Sequence, residues 1–201
     1  MLKTSEPVTV QLQTPSGEKQ ATLRWPTDDE WAAREKQSPT VIRPEGLHGT
    51  VTEVRNPEAA ARKLFEAIRQ DGDGAAFDDF EAREVIAGMG LATVQKAERQ
   101  GAEVRVDLEV AGGDARHILK LPTARERALY HRSTTVLDMG RQGQEIRRDV
   151  IALANLWSEL MISTDGYHGE VPLPHKTVAL AEAIEVAEQS MGALTFISRA
   201  S

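Results

Sequence analysis

The phrase Leu–basic–x–Pro–Thr–x–x–Glu occurs twice, as Leu23-Arg24-Trp25-Pro26-Thr27 with Glu30, and as Leu119-Lys120-Leu121-Pro122-Thr123 with Glu126. Each copy dictates a change of structure. Proline has no N–H to give a strand ladder, so a strand that reaches it stops. A threonine three residues before a glutamate is a capping box. The hydroxyl accepts from the third helical N–H, and the carboxylate accepts from the cap residue's own N–H. The chain is therefore predicted to pass from strand to helix at Thr27 and again at Thr123. Before the first cap, Val8, Val10 and Leu12 alternate with Thr9, Gln11 and Gln13, a turn of composition Pro–Ser–Gly follows, and Ala21, Leu23 and Trp25 alternate on the return. That period of two, broken by turn residues, is a β-hairpin. Asp28, Asp29 and Glu30 lie where the positive end of a helix dipole favours anions, and capping accounts for them without catalysis.

Beyond the first helix, which should run to about Gln37, the runs TVIR and TVTEV suggest a looser hairpin among Pro39, Pro44, Gly46 and Gly49. Asn56-Pro57 reads as N-cap and first helical residue. Ala60, Ala61, Leu64, Phe65 and Ile68 follow at helical spacing, and a short helix with Phe77, Phe80 and Val85 inward comes next. Three consecutive strands are predicted in LATVQKAE, AEVRVDLEV and RHILKLP. The helix opened by Thr123 is expected to carry Ala128, Leu129 and Val136, and DMGRQG to form a loop. Ile146, Val150, Leu153, Trp157 and Leu160 then step along one helical face, and Ile146, Leu153, Trp157 and Leu160 should be buried, as should Leu64, Phe65 and Ile68. STDGYHGEVPLPHK reads as a loop, and Val178, Ala181, Ile184 and Met191 mark the last helix. Trp25, at a strand end, is expected at a rim.

The recurrence extends past the phrase. At the same displacement Val8 falls on Val104, Val10 on Val106, Leu12 on Leu108 and Gly17 on Gly113. Each half runs hairpin, Pro–Thr cap, helix, loop, long helix, an Asp–Gly loop (Asp73-Gly74, Asp165-Gly166) and a final helix. The expected fold class is α+β with an internal duplication, two related units each made of a small antiparallel hairpin or meander followed by capped helices. Residues 1–90 form the first unit, 91–192 the second, with its three-stranded meander, and 193–201 a C-terminal tail.

Several functions are disfavoured. The 201 residues carry a formal charge of −7 and contain no cysteine. The charge argues against a phosphate-backbone binder, EIRRDV being the nearest basic patch. Aromatic residues make up only 4% of the chain, too few for a platform on which single strands stack. Without cysteine there is no disulfide, thiolate zinc site, iron–sulfur cluster or cysteine nucleophile. No apolar run reaches the roughly 20 residues of a membrane span. MLKTSEPVTV is too polar for a signal peptide, so a cytoplasmic protein is expected. His48, His117, His131, His168 and His175 show no metal-site spacing. A calcium loop counted from Asp71 would place Ala76 and Ala82 where Gly and Glu belong. Ser163, Asp165 and His168 have the letters of a triad but crowd one loop without a nucleophile elbow. Gly88-Met89-Gly90 ends a helix before a strand, the wrong order for phosphate binding. No catalytic, cofactor-binding or metal-binding residue is assigned, and no cofactor is expected.

The hairpin, the Leu–Arg–x–Pro–Thr phrase at Leu23, Arg24, Pro26 and Thr27, and the helix after it resemble the tail assembly chaperones of tailed bacteriophages. Leu119, Lys120, Pro122 and Thr123 repeat the phrase with Lys for Arg, whereas many members of that family hold a single unit. The resemblance implies a non-enzymatic protein of the host cytoplasm that binds the tape measure protein and recruits tail tube subunits, with no nucleic-acid or membrane partner; a homo-oligomer is compatible with it. The alternatives are a structural component of the virion (a tail or neck protein) and a small enzyme of unrecognised type. The tail GALTFISRAS places Leu194, Phe196 and Ile197 on a β-prone run, either docked on the protein's own sheet or offered to a partner.

Overall fold

A computed structural model describes residues 1–15, 17–45, 49–71, 75–134, 136–140 and 143–190. The chain opens with a two-residue strand, β1 (Leu2–Lys3), and then the hairpin of β2 (Val8–Thr14) and β3 (Gly17–Leu23). Val8, Val10 and Leu12 are half-buried, and Thr9, Gln11 and Gln13 are exposed. Pro26 is buried at the end of the hairpin, and Thr27 caps α1 (Asp28–Gln37), in which Trp31 is buried. A second hairpin follows, β4 (Thr40–Glu45) with β5 (Gly49–Val54), and then α2 (Pro57–Ile68). Asn56 does precede α2, but its backbone is left-handed, with φ of 48°, and its side chain makes no capping hydrogen bond. Pro57 begins this helix without that help, because its φ is already fixed near the helical value.

The face of α2 made by Ala60, Ala61, Leu64, Phe65 and Ile68 is buried. Directly after it Arg69 bridges Leu23, with Arg24 N donating to Ile68 O and Gln70 N to Thr22 O. Helix α3 (Asp79–Met89) is capped by Asp78 in a capping box with Glu81. Phe77 is buried before it, but Phe80 is 67% exposed, contrary to expectation. At 3.6 residues per turn the buried stripe Ala82, Val85, Ile86 and Met89 puts Phe80 on the far side of the helix.

The second half begins with the meander β6 (Ala92–Gln100), β7 (Glu103–Val110) and β8 (Gly113–Lys120), antiparallel throughout. Helix α4 (Ala124–Thr134) ends before Val136, which opens strand β9 (Val136–Gly140). The β-branched run Thr134-Thr135-Val136 resists helix continuation, and Thr134 Oγ1 turns back onto Tyr130 O at 3.1 Å. Asp138, Met139, Gly140 and Gly143 of DMGRQG are therefore strand residues. They belong to β9 and to β10 (Gly143–Arg147), which includes Ile146. Helix α5 (Val150–Leu160) starts only after Asp149, whose Oδ1 accepts from Ala152 N at 3.0 Å. Residue 146 shared the helical spacing by coincidence, since a strand can precede a helix in the same apolar phase. The segment read as a loop holds β11 (Met161–Asp165), paired with β8, and β12 (Tyr167–His168), paired in parallel with β1. Its Ser, Thr and Asp content looks loop-like, yet β8 offers an open ladder on that side. Helix α6 (Leu173–Gln189) ends the described chain; Met191 lies outside it.

The fold is α+β. Among the described residues the sheets are β11-β8-β7-β6, β5-β4-β10-β9, β2-β3 and β1-β12. The order hairpin, capped helix, hairpin, helix, return to the hairpin edge, helix occurs in both halves. The halves differ at that return: β3 meets the single bridge at Arg69, whereas β8 meets the whole of β11. They also differ at the sheet they share. There β4 pairs with β10, the first strand of one hairpin with the second of the other.

Two apolar cores result. One packs α1, α2, α3 and the β2–β3 hairpin; the other packs α5 and α6 on the meander. Helix α5 serves both. Val150 and Ala154 join the first core, and Leu153, Leu156, Trp157 and Leu160 the second. Leu2, from the start of the chain, is buried in the second. Trp25 is half-buried at the rim of both.

Candidate functional site

A cleft of about 560 Å³ lies where the halves meet. Its walls are β2 and Trp25, the last turns of α3 with Val85 and Met89, and, from the other side, Met1–Lys3 and the β7–β8 turn at Ala111 and Gly112. The lining is mainly apolar, with Lys3, Glu6 and Glu84 around it. Among the described residues no strand covers the outer edge of β2. The hydrogen-bond phase of that edge follows from its partner. Thr22 gives its carbonyl to Gln70, away from β2, and stands opposite Thr9. Antiparallel ladders alternate bonded and non-bonded pairs, so Thr9, Gln11 and Gln13 direct their N–H and C=O groups outward.

The opposite wall is a clasp, in which the amino terminus docks on the second half. Leu2 N donates to Gly166 O at 2.7 Å and Thr4 N to His168 O at 3.0 Å. Thr4 Oγ1 donates to Glu170 O at 2.6 Å, and Ser5 Oγ lies 2.9 Å from His168 Nδ1. The amino terminus reaches Gly112 O at 3.2 Å. Gly112 is required by this approach, since a Cβ there would sit 2.9 Å from Leu2 Cα.

Beneath the clasp is a buried polar chain. His117 Nε2 lies 3.0 Å from the Tyr167 hydroxyl, which lies 3.3 Å from His175 Nδ1. Both histidines are fully buried, and the other nitrogen of each, His117 Nδ1 and His175 Nε2, has no hydrogen-bond partner among the described residues. Burial lowers His117 to about 3, helped by His175, and lowers His175 to about 4. The nearby carbonyls of Leu91 and Met89 oppose the shift of His175, but neither makes a well-formed bond to Nε2. Burial also raises the Tyr167 hydroxyl. Both rings are thus held neutral and closed from solvent.

Thr27 and Glu30 form a reciprocal cap on α1. Thr27 Oγ1 accepts from Glu30 N at 3.3 Å, and Glu30 Oε2 accepts from Thr27 N at 2.9 Å. Thr123 and Glu126 do the same ahead of α4, at 3.4 and 2.7 Å. Arg24 adds a fork onto Glu30, with bonds of 2.8 and 2.5 Å. Leu194, Phe196 and Ile197 lie outside the described residues, as does His48. Ser163, Asp165 and His168 are not joined in a relay: Asp165 accepts from Gly166 N, and His168 bonds Ser5. His131 bonds Glu188 at 2.6 Å, away from His117, which is linked to His175 through the Tyr167 hydroxyl. Among the described residues no three His, Asp or Glu side chains converge as metal ligands, and no helix is long and apolar enough to cross a membrane.

The cleft escaped sequence reasoning because its walls come from four separated segments. The histidine pair carried a signal. His117 occupies the inward phase of β8 between Ala115 and Leu119, and His175 is one turn before Ala179 on α6. Comparison with protein-family models, with curated proteins and with solved structures gave no match.

Proposed function

We propose that this chain is a tail-assembly-chaperone-like protein of a tailed bacteriophage. In this reading it works in the host cytoplasm, holding an apolar stretch of the tape measure protein in the β2 cleft while tail tube subunits are recruited. The observation that carries the reading is the pairing of an open apolar cleft with the outward backbone groups of Thr9, Gln11 and Gln13 on its uncovered edge. An extended partner segment can add a strand there and place alternate side chains in the cleft. The phrase behind the resemblance supports this arrangement mechanically. Leu23 is buried, Arg24 grips Glu30, Pro26 is buried and Thr27 caps α1, so Trp25 is held at the cleft wall between two fixed points. The shared order of elements in the two halves supports a duplicated unit as its origin.

Co-expression with the suspected tape measure protein tests the function. The long protein is expected to be soluble and to co-purify with this chain. Gln11→Pro should abolish capture with little effect on folding, because the N–H it removes faces away from β3. If the long protein is equally soluble alone and no complex forms, the chaperone reading is dropped. Finding the chain in purified particles would then favour the virion component.

A further inference from the structure

We propose that the N-terminal clasp over His117, Tyr167 and His175 is an acid-released latch, in which protonation of the two buried histidines frees β1 and β12 while the first core stays folded. The inference does not depend on the chaperone reading. Tyr167 carries the coupling. Its backbone pairs with Leu2, and its hydroxyl stands between the two rings. A proton on either ring would lack a counter-charge. The groups facing the pair are Tyr167 from β12, Trp157 from α5, and the carbonyls of Met89 and Leu91. Lys176 of α6 lies over the Trp157 ring and is bound to Asp28 of α1. On β7, Asp107 is paired with Arg105 and Arg116 on the opposite face of the sheet from His117. Asp165, at the end of β11, is exposed and bonded to Gly166 N.

Two charged rings on either side of one hydroxyl repel each other and need water. The meander, α5 and α6 close the other sides with the larger core, so the least costly exit is through β12. That strand is two residues long and bracketed by Gly166 and Gly169, with φ of 91° and 116°. Peeling it away breaks the bonds from Leu2, Thr4 and Ser5, leaving the α1–α3 core untouched.

The test is residue-resolved hydrogen exchange on the full chain between pH 7 and pH 5.5, corrected for intrinsic rates. If both rings titrate near their ordinary value of 6.5 once exposed, opening gains about 70-fold over this range, or about 8-fold for one ring. The amides of Leu2 and Thr4 should lose protection by that factor through a local opening that low urea does not promote. Those of Phe65 and Ile86 should stay more protected at each pH and exchange only through urea-sensitive global unfolding. The double variant His117→Gln, His175→Asn keeps an amide near the Tyr167 hydroxyl without a titrating ring, and its Leu2 and Thr4 protection should be flat with pH. Any of three results overturns the proposal: Leu2 and Thr4 protection that does not change with pH in the wild type, Leu2 and Thr4 protection equal to that of Phe65 and Ile86 and equally sensitive to low urea, or pH dependence that survives in the double variant. The last would assign the effect to His168, whose ring meets Ser5. If the double variant does not fold, the comparison of the two amide sets in the wild type still decides.

Discussion

Replacing Glu30 and Glu126 with glutamine, one at a time, sets two copies of one cap against each other in a single chain. Both glutamates accept from the N–H of their threonine, at 2.9 and 2.7 Å, and a glutamine oxygen can do the same. Only Glu30 has a basic partner. Arg24 binds it with two nitrogens and also donates to Trp25 O and Ala67 O, tying the hairpin to α2. Among the described residues Lys120, in the place of Arg24, forms no such pair with Glu126. A charge-assisted bond is worth about 1.5–3 kcal/mol when well shielded. The Arg24 and Glu30 side chains are 37% and 27% exposed, so solvent screening reduces this to about 1 kcal/mol. Glu30→Gln should therefore cost about 1–2 kcal/mol in a urea-unfolding titration, and Glu126→Gln no more than about 0.5 kcal/mol. The pH dependence has a definite sign. The Arg24 bonds, more than any other contact, hold the Glu30 carboxyl at about 2, below its usual 4.5. Its contribution is complete above pH 4.5 and is lost as the pH falls towards 2. Equal costs for the two variants, or a larger cost at Glu126, would refute the view that the arginine fork distinguishes the caps.

Three further outcomes are expected. Acidification from pH 7.5 to 5.5 should lower the unfolding free energy by about 3 kcal/mol, because the unfolded chain protonates both histidines at ordinary pKa while the folded chain resists until about 4 and 3; urea titrations at the two pH values measure it, and the lost stability returns as the pH rises past 6.5. Gly166→Ala should cost at least about 2 kcal/mol by the same titration, since its Cβ would lie 2.5 Å from Asp114 O at a left-handed φ. Ile86→Ala and Leu108→Ala, one from each core, should each cost about 2–5 kcal/mol, and one shared transition should report both, because α5 packs in both cores.

What the sequence disclosed follows from how local the cause is. The Thr27 and Thr123 caps need only three neighbouring residues, and the meander declares itself by alternation within each strand. Strands β10 to β12 are short and pair with distant partners: β10 with β4, β11 with β8, β12 with β1. Composition cannot signal such pairing, so Ser163 and Thr164 read as loop and Ile146 as helix. Phe80 misled because an aromatic residue near a helix start looks inward until the phase of Ala82, Val85 and Ile86 is fixed. For the candidate site, Val8, Val10 and Leu12 were visible as one wall, but nothing local reveals that Leu2 and Gly112 supply the other.

The clasp also bears on the timing of biosynthesis. Thr4 and His168, which bond each other, are 164 residues apart. At about 5–20 residues per second, a ribosome takes roughly 8–30 s to make the second after the first. From about the middle of that interval, once Met89 is made, the β2–β3 hairpin and α1–α3 can already be assembled, but their cleft lacks its far wall and, until Leu160 is made, α5 has not arrived to finish their core. A nascent chain of this protein thus offers a wider, more apolar opening than the finished one. That opening lasts until the amino terminus closes the door behind it.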